Sequence, residues 1–167
     1  DAATGKLKWH FQMTHHDMWD YDAEAAPALL DVTRNGRKIP AVVAISKTSL
    51  MFLLDRRTGK PIFPVEERPV PQSDVPGEHS WPTQPFPVAP PPLARLSMTD
   101  AEVFKGEPEH EKFCRDLVEK MGGSVNSKGP FTPYSDKEYR VIFPGQQGGA
   151  NYGGVAVDPG LGYVVVN

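Results

Sequence analysis

Asp1-Ala2-Ala3-Thr4-Gly5-Lys6-Leu7-Lys8-Trp9 returns 54 residues later as Asp55-Arg56-Arg57-Thr58-Gly59-Lys60-Pro61-Ile62-Phe63. The shared frame is Asp-x-x-Thr-Gly-Lys-x-x-aromatic, and it specifies a turn. The aspartate opens it through side-chain hydrogen bonds, the glycine takes the position that needs a positive φ, and the aromatic docks on a neighbour. A degenerate copy, Asp158-Pro159-Gly160-x-Gly162, follows near the other end of the chain.

Turns of this kind link adjacent strands, and their return at this period suits the blades of a propeller. Between the first two copies, residues 26–30, 40–45 and 50–54 are short apolar runs separated by Asn35-Gly36-Arg37-Lys38 and Ser46-Lys47-Thr48. They read as strands joined by tight turns, with residues 60–65 as the fourth strand of one blade. Composition then shifts: 11 of the 18 prolines fall between Pro61 and Pro92. Each proline removes a ladder donor, so this region reads as a long ordered loop anchored by Trp81 and Phe86 rather than as sheet. Thr99-x-x-Glu102 is a capping box, and residues 108–121 read as a helix with Phe113, Leu117 and Met121 on one face, stopped by Gly122-Gly123. Strand signal resumes over 140–143, 153–157 and 163–166.

The 167 residues carry a net charge of −3 with no basic stripe, which argues against nucleic acid as the main partner. The single cysteine, Cys114, allows no internal disulfide and has no zinc-type spacing around it. No apolar run reaches membrane-spanning length, and no signal-peptide pattern is present. The chain starts inside a turn motif and stops in a β-branched run, so it is expected to be a piece of something longer.

Chemistry-bearing residues concentrate in His15-His16-Asp17-Met18-Trp19-Asp20-Tyr21-Asp22. Asp20 lies between two large aromatics, so its carboxylate is expected among rings and poorly solvated, a setting for a general base or a ligand to a hard cation. The plain alternative is an Asp-Tyr-Asp turn ending a strand while Trp19 packs in the core, and composition alone favours it. His10, His15 and His16 match no structural zinc pattern, and adjacent histidines on a strand point to opposite faces. Lys47, taken alone, reads as a solvated turn lysine. The glycine-rich stretch 145–154 precedes a strand and opens no helix, which argues against a phosphate-binding loop and for close packing between blades.

His16-Asp17-Met18-Trp19-Asp20-Tyr21-Asp22 resembles the segment holding the catalytic aspartate of quinoprotein dehydrogenases, the propeller enzymes that use pyrroloquinoline quinone (PQQ). The Asp-Thr-Gly-Lys-aromatic turn is similar to the family's tryptophan-docking motif, with Phe63 replacing Trp in the second copy. Lys47 stands 27 residues after Asp20 in the Lys-Thr context of membrane-type glucose dehydrogenases. Asn151 matches the family asparagine that contacts the quinone, while Tyr152 departs from the usual Trp. Thr83-Gln84-Pro85-Phe86-Pro87 and Phe131-Thr132-Pro133 resemble the glucose, polyol and quinate branch.

The resemblance implies an all-β fragment of an eight-bladed β-propeller with a Pro-rich loop and a short helical insertion. Residues 1–12 would end one blade, 22–66 form a full blade, 67–138 form the insertion and 139–167 start a further blade. It implies PQQ-dependent oxidation of an alcohol, polyol or sugar hydroxyl. Asp20 would act as general base, and Ca²⁺ rather than a lanthanide would assist hydride transfer to the quinone. Lys47, Asn151 and Trp19 would hold the cofactor and Asp20 and Asp22 the metal, with the remaining ligands in earlier blades. A quinone or cytochrome would accept electrons, in a periplasmic setting, with any membrane contact through parts outside this chain. The competing class is a non-enzymatic propeller that binds protein partners as a scaffold, which needs the docking turns but not Asp20, Lys47 and Asn151 together.

Overall fold

The computed structural model of the chain describes residues 1–125 and 127–167. In order, it contains β1 (Ala28–Arg34), β2 (Arg37–Ile45), β3 (Met51–Asp55), β4 (Val65–Pro69), β5 (Thr83–Pro87), a 3-10 turn at Asp100–Glu102, α1 (Pro108–Lys120), β6 (Val155–Asp158) and β7 (Tyr163–Val166). The strands form three antiparallel sheets, β1-β2-β3, β4-β5 and β6-β7, and none closes on itself.

Local chemistry explains the first sheet. Asn35 and Gly36 stand at φ 52° and 72° and join β1 to β2, the left-handed pair that a two-residue hairpin turn of matching twist requires. Register then runs from Arg34 opposite Arg37 to Ala28 opposite Val43. Along β3, Phe52 and Leu54 join a core with Val42, Leu50, Trp19, Tyr21 and Phe131. Met51 and Leu53 turn the other way and line an apolar hollow of about 540 Å³ with Phe63, Val164 and Val166. Period-two alternation thus gives β3 two apolar faces.

The three docking turns share one geometry. The carbonyls of Asp1, Asp55 and Asp158 accept from the N–H of Gly5, Gly59 and Gly162 at 2.8, 2.8 and 2.9 Å, and those glycines stand at φ 67°, 72° and 72°. Each aspartate Oδ1 also accepts from the N–H two residues on, at 3.0, 2.9 and 2.9 Å. Trp9 of the first copy docks on the second: its indole N–H donates to Arg56 O at 3.0 Å, and its ring lies so close that a Cβ on Gly59 would sit 2.6 Å from Cε3.

Several expectations need correction. Residues 60–65 add no fourth strand to the first sheet; one bridge, Leu54 to Pro61, is all that forms there. Val65–Pro69 pairs instead with Thr83–Pro87, so the proline-rich region does contain sheet. A two-stranded ribbon is all edge, and edges tolerate prolines. Phe86 anchors this region as expected, packing edge-on to Phe131 at 5.5 Å, whereas Trp81 is 51% exposed. Residues 140–143 form no strand; Arg140 pairs with Asp74 at 2.8 Å and Glu138 at 2.9 Å. The capping box at Thr99 and Glu102 forms, and α1 starts on Pro108 at its first turn, but Phe113 and Leu117 remain exposed. No strand is assigned within residues 1–27.

Two predictions follow from the docking turns. Gly59→Ala, which forces a side chain into φ 72° and into the Trp9 ring, is expected to destabilise the intact protein by about 3 kcal/mol. Gly5→Ala, with a similar φ but no atom within 4 Å of its Cβ, is expected to cost about 1 kcal/mol. Denaturant unfolding compares the two, and equal losses would contradict the docking of Trp9. Hydrogen bonds from the Arg57 side chain and backbone hold the Asp55 carboxyl at about 2, below its ordinary 3.8. A depressed carboxyl contributes stability above its ordinary value and loses it as pH falls through the depressed one. Asp55→Asn should therefore flatten the decline of stability with acid between pH 3.8 and about 2, read from unfolding midpoints against pH; an unchanged decline would remove Asp55 from the turn's stability.

Candidate functional site

From Trp19 to Glu24 the side chains alternate, and that alternation builds the site. Trp19 and Tyr21, 1% and 2% exposed, turn into the core. Trp19 donates its indole N–H to Thr132 O at 2.7 Å and stacks on Tyr21 at 5.9 Å and 18°. Phe131 stands edge-on to both rings, at 5.4 and 5.9 Å. The Tyr21 hydroxyl lies 2.9 Å from Pro130 O and 2.5 Å from Pro144 O, and burial pushes its pKa well above the ordinary phenol value. This packed floor fixes the backbone from which Asp20, Asp22 and Glu24 project on the other side.

Those three carboxylates converge on Lys47. The lysine sits in the turn 46–50 between β2 and β3, where Ser46 and Thr48 share a hydroxyl contact of 2.8 Å and Lys47 N donates to Asp22 O at 3.2 Å. Its side chain is 6% exposed, and Nζ lies 2.8 Å from Asp20 Oδ2, 2.9 Å from Asp22 Oδ1 and 2.7 Å from Glu24 Oε1. Hydrogen bonds to Asp20, Glu24 and Asp22 hold the ammonium well above the usual lysine pKa. The Lys47 hydrogen bond correspondingly holds the Asp22 carboxyl below its usual range. Lys47 is therefore buried and ion-paired, not a solvated turn residue.

Asp20 also departs from expectation. Its carboxylate is 70% exposed, not desolvated among rings, because the neighbouring rings point inward and it points outward. It holds φ 64°, a left-handed conformation that aspartate tolerates better than most residues yet costs on the order of 1 kcal/mol. Strain of this kind persists only where surrounding structure enforces it, and it gathers at functional sites.

The glycine-rich loop closes on the same lysine. Gly149 N donates to Lys47 O at 2.9 Å. Gly148 stands at φ 77°, and a Cβ there would lie 2.6 Å from Lys47 Cβ; one on Gly149 would collide with Ser49 Oγ. Close packing, as read from the sequence, is what these glycines allow. Asn151 is brought near by this loop, but its amide is turned to the loop itself: Nδ2 donates to Gln147 O and Oδ1 accepts from Tyr152 N, both at 2.8 Å.

The structure thus joins Asp20, Asp22 and Lys47, places Asn151 on the adjoining loop, and buries Trp19 beneath them. A cofactor contact by the Trp19 ring does not fit its 1% exposure, since Tyr21 and Phe131 already cover it. Glu24 was missed, although Asp20, Asp22 and Glu24 at alternate positions were a readable signal for one carboxylate face. His15 belongs elsewhere, paired with Glu67 at 2.9 Å. Among the described residues, no group of three or more His, Cys, Asp or Glu is arranged to hold a metal ion by itself. With its ammonium the cluster carries two net negative charges.

A family model described as PQQ: Glucose/ethanol/alcohol dehydrogenase, beta-propeller domain, matches residues 1–167. Among known proteins, a quinoprotein glucose dehydrogenase of Gluconobacter oxydans (strain 621H) is 42% identical over 95% of this chain and 19% of its own length. A quinoprotein glucose dehydrogenase of Escherichia coli (strain K12) is 39% identical over all of this chain and 20% of its own length. A glycerol dehydrogenase large subunit of Gluconobacter thailandicus is 38% identical over all of this chain and 22% of its own length. The chain therefore spans about a fifth of these relatives. No solved structure matches it.

Proposed function

Because the chain belongs to the PQQ glucose/ethanol/alcohol dehydrogenase β-propeller domain family, we propose that it is the part of a PQQ-dependent dehydrogenase that carries the proton acceptor and the quinone-polarising cation. The observation that supports this most is the meeting of Asp20, Asp22 and Lys47 at one buried ammonium. A scaffold propeller has a use for the docking turns, but none for that cluster.

Bound PQQ would supply the two-electron acceptor for a hydride from the carbinol carbon, with Ca²⁺ as Lewis acid on its carbonyl. Asp20 takes the hydroxyl proton at its exposed carboxylate, which solvent-side substrate can reach. Asp20 and Asp22 would supply oxygen donors to the metal, and ligands from the rest of the protein would complete its shell. Lys47 would direct positive charge at a quinone oxygen, an electrostatic contact that gains strength in a partly dry site. Asn151, on the loop packed against Lys47, adds an amide once its contact to Gln147 O is exchanged. Trp19 keeps Asp20 in register from below. Substrate is an alcohol, polyol or sugar hydroxyl, with electrons passed to a quinone or cytochrome and the enzyme on the periplasmic side. Among the described residues, no helix is long and apolar enough to cross a membrane.

In the intact protein reconstituted with PQQ and calcium, Asp20→Asn is expected to lower turnover by roughly a hundredfold to ten-thousandfold, the usual worth of a positioned base. The assay is steady-state oxidation with an artificial acceptor, repeated across a calcium titration. A loss restored by high calcium would make Asp20 chiefly a metal ligand, and full activity at ordinary calcium would remove it from the reaction.

A further inference from the structure

We propose that Glu24 is a positioning residue of this site: it anchors the Lys47 ammonium, while Asp20 gives up its contact to that ammonium when cofactor and substrate bind. The inference rests on the reading of Lys47 as the residue that meets a quinone oxygen.

An ammonium has three N–H donors, and Lys47 Nζ faces three carboxylates at 2.8, 2.9 and 2.7 Å. Nζ donates to Asp20 Oδ2 and pairs by charge with Asp22 and Glu24; with three carboxylates around the ammonium, one of them withdraws when Lys47 serves a quinone. Exposure decides which one. Asp20 is 70% exposed, Asp22 52% and Glu24 17%. Asp20 is the most open of the three and so the one that can turn away.

Glu24 has no such exit. Its Oε1 makes the shortest of the three contacts, and its Oε2 is buried with no hydrogen-bond partner. Withdrawing Lys47 from it would strand a mostly buried carboxylate without a counter-charge, the costly outcome for such a pair. Glu24 is therefore the fixed partner and Asp20 the exchangeable one. The alternation that places Glu24 two residues past Asp22 aims it at the same ammonium without a separate structural element.

The test uses the intact apoprotein and an amine-acylating reagent, with modification of Lys47 followed by mass spectrometry of its peptide. Glu24→Gln is expected to speed Lys47 modification about tenfold, because the side chain loses its least exposed anchor and reaches the reagent more often. Asp20→Asn should speed it about threefold or less, since Glu24 and Asp22 still cover the amine. Asp20→Asn matching or exceeding Glu24→Gln would overturn the assignment. If Glu24→Gln proves unfolded by thermal denaturation, Glu24→Asp carries the comparison. It keeps the charge one methylene short, so an intermediate acceleration is expected and wild-type reactivity would overturn the proposal.

PQQ titration of the same proteins, read by quinone absorption at fixed calcium, supplies the second arm. Glu24→Gln should weaken PQQ binding about tenfold in the wild-type background and add nothing in a Lys47→Ala background, because it acts through Lys47. An equal loss in both backgrounds would overturn the positioning role. Failure of the wild-type protein to bind PQQ would sink the functional reading instead, while the acylation order would still decide which carboxylate holds Lys47.

Discussion

A lysine ammonium with 6% side-chain exposure, surrounded by three carboxylates, is the constraint that organises this chain. A buried charge is tolerable only when paired, and the pairing here requires three separated segments to meet. Residues 20–24 bring the carboxylates, the turn 46–50 brings the lysine, and the loop 145–150 seals the lysine's backbone through Gly149 N. The aromatic floor of Trp19, Tyr21 and Phe131 exists on the opposite side of the same backbone, so the core and the site are two faces of one short stretch. Changes in that core would therefore reach the site through backbone register.

Much of the fold was legible because its signals are local. Asn35-Gly36 demands a hairpin, and Asp-x-x-Thr-Gly demands a turn whatever surrounds it; both formed with the φ values their residues permit. What sequence left open was pairing. Residues 60–65 read as a fourth strand of the first sheet, yet residues 65–69 pair with β5, whose Phe86 meets Phe131, 45 positions further on. Proline density suggested loop because it penalises sheet interiors, yet a two-stranded ribbon has no interior.

The site was legible in its members but not in its environment. Asp20, Asp22 and Lys47 could be named from motif and spacing, whereas the exposure of Asp20 and the burial of Lys47 reverse what the residues suggest alone. The reason is directional: flanking rings desolvate a carboxylate only if they share its side of the backbone, and alternation puts them on the other. The same alternation made Glu24 readable as a third acid. Asn151 shows the complementary limit, since its loop packs on Lys47 while its own amide is spent on Gln147 O.

A crystal structure of the intact protein with PQQ and calcium bound bears most directly on the claim that this cluster is the quinone site. The expected result is Lys47 Nζ at about 3 Å from a quinone oxygen, still paired with Glu24, with Asp20 turned toward the substrate side. PQQ bound elsewhere, with Lys47 still enclosed by Asp20, Asp22 and Glu24, would contradict it.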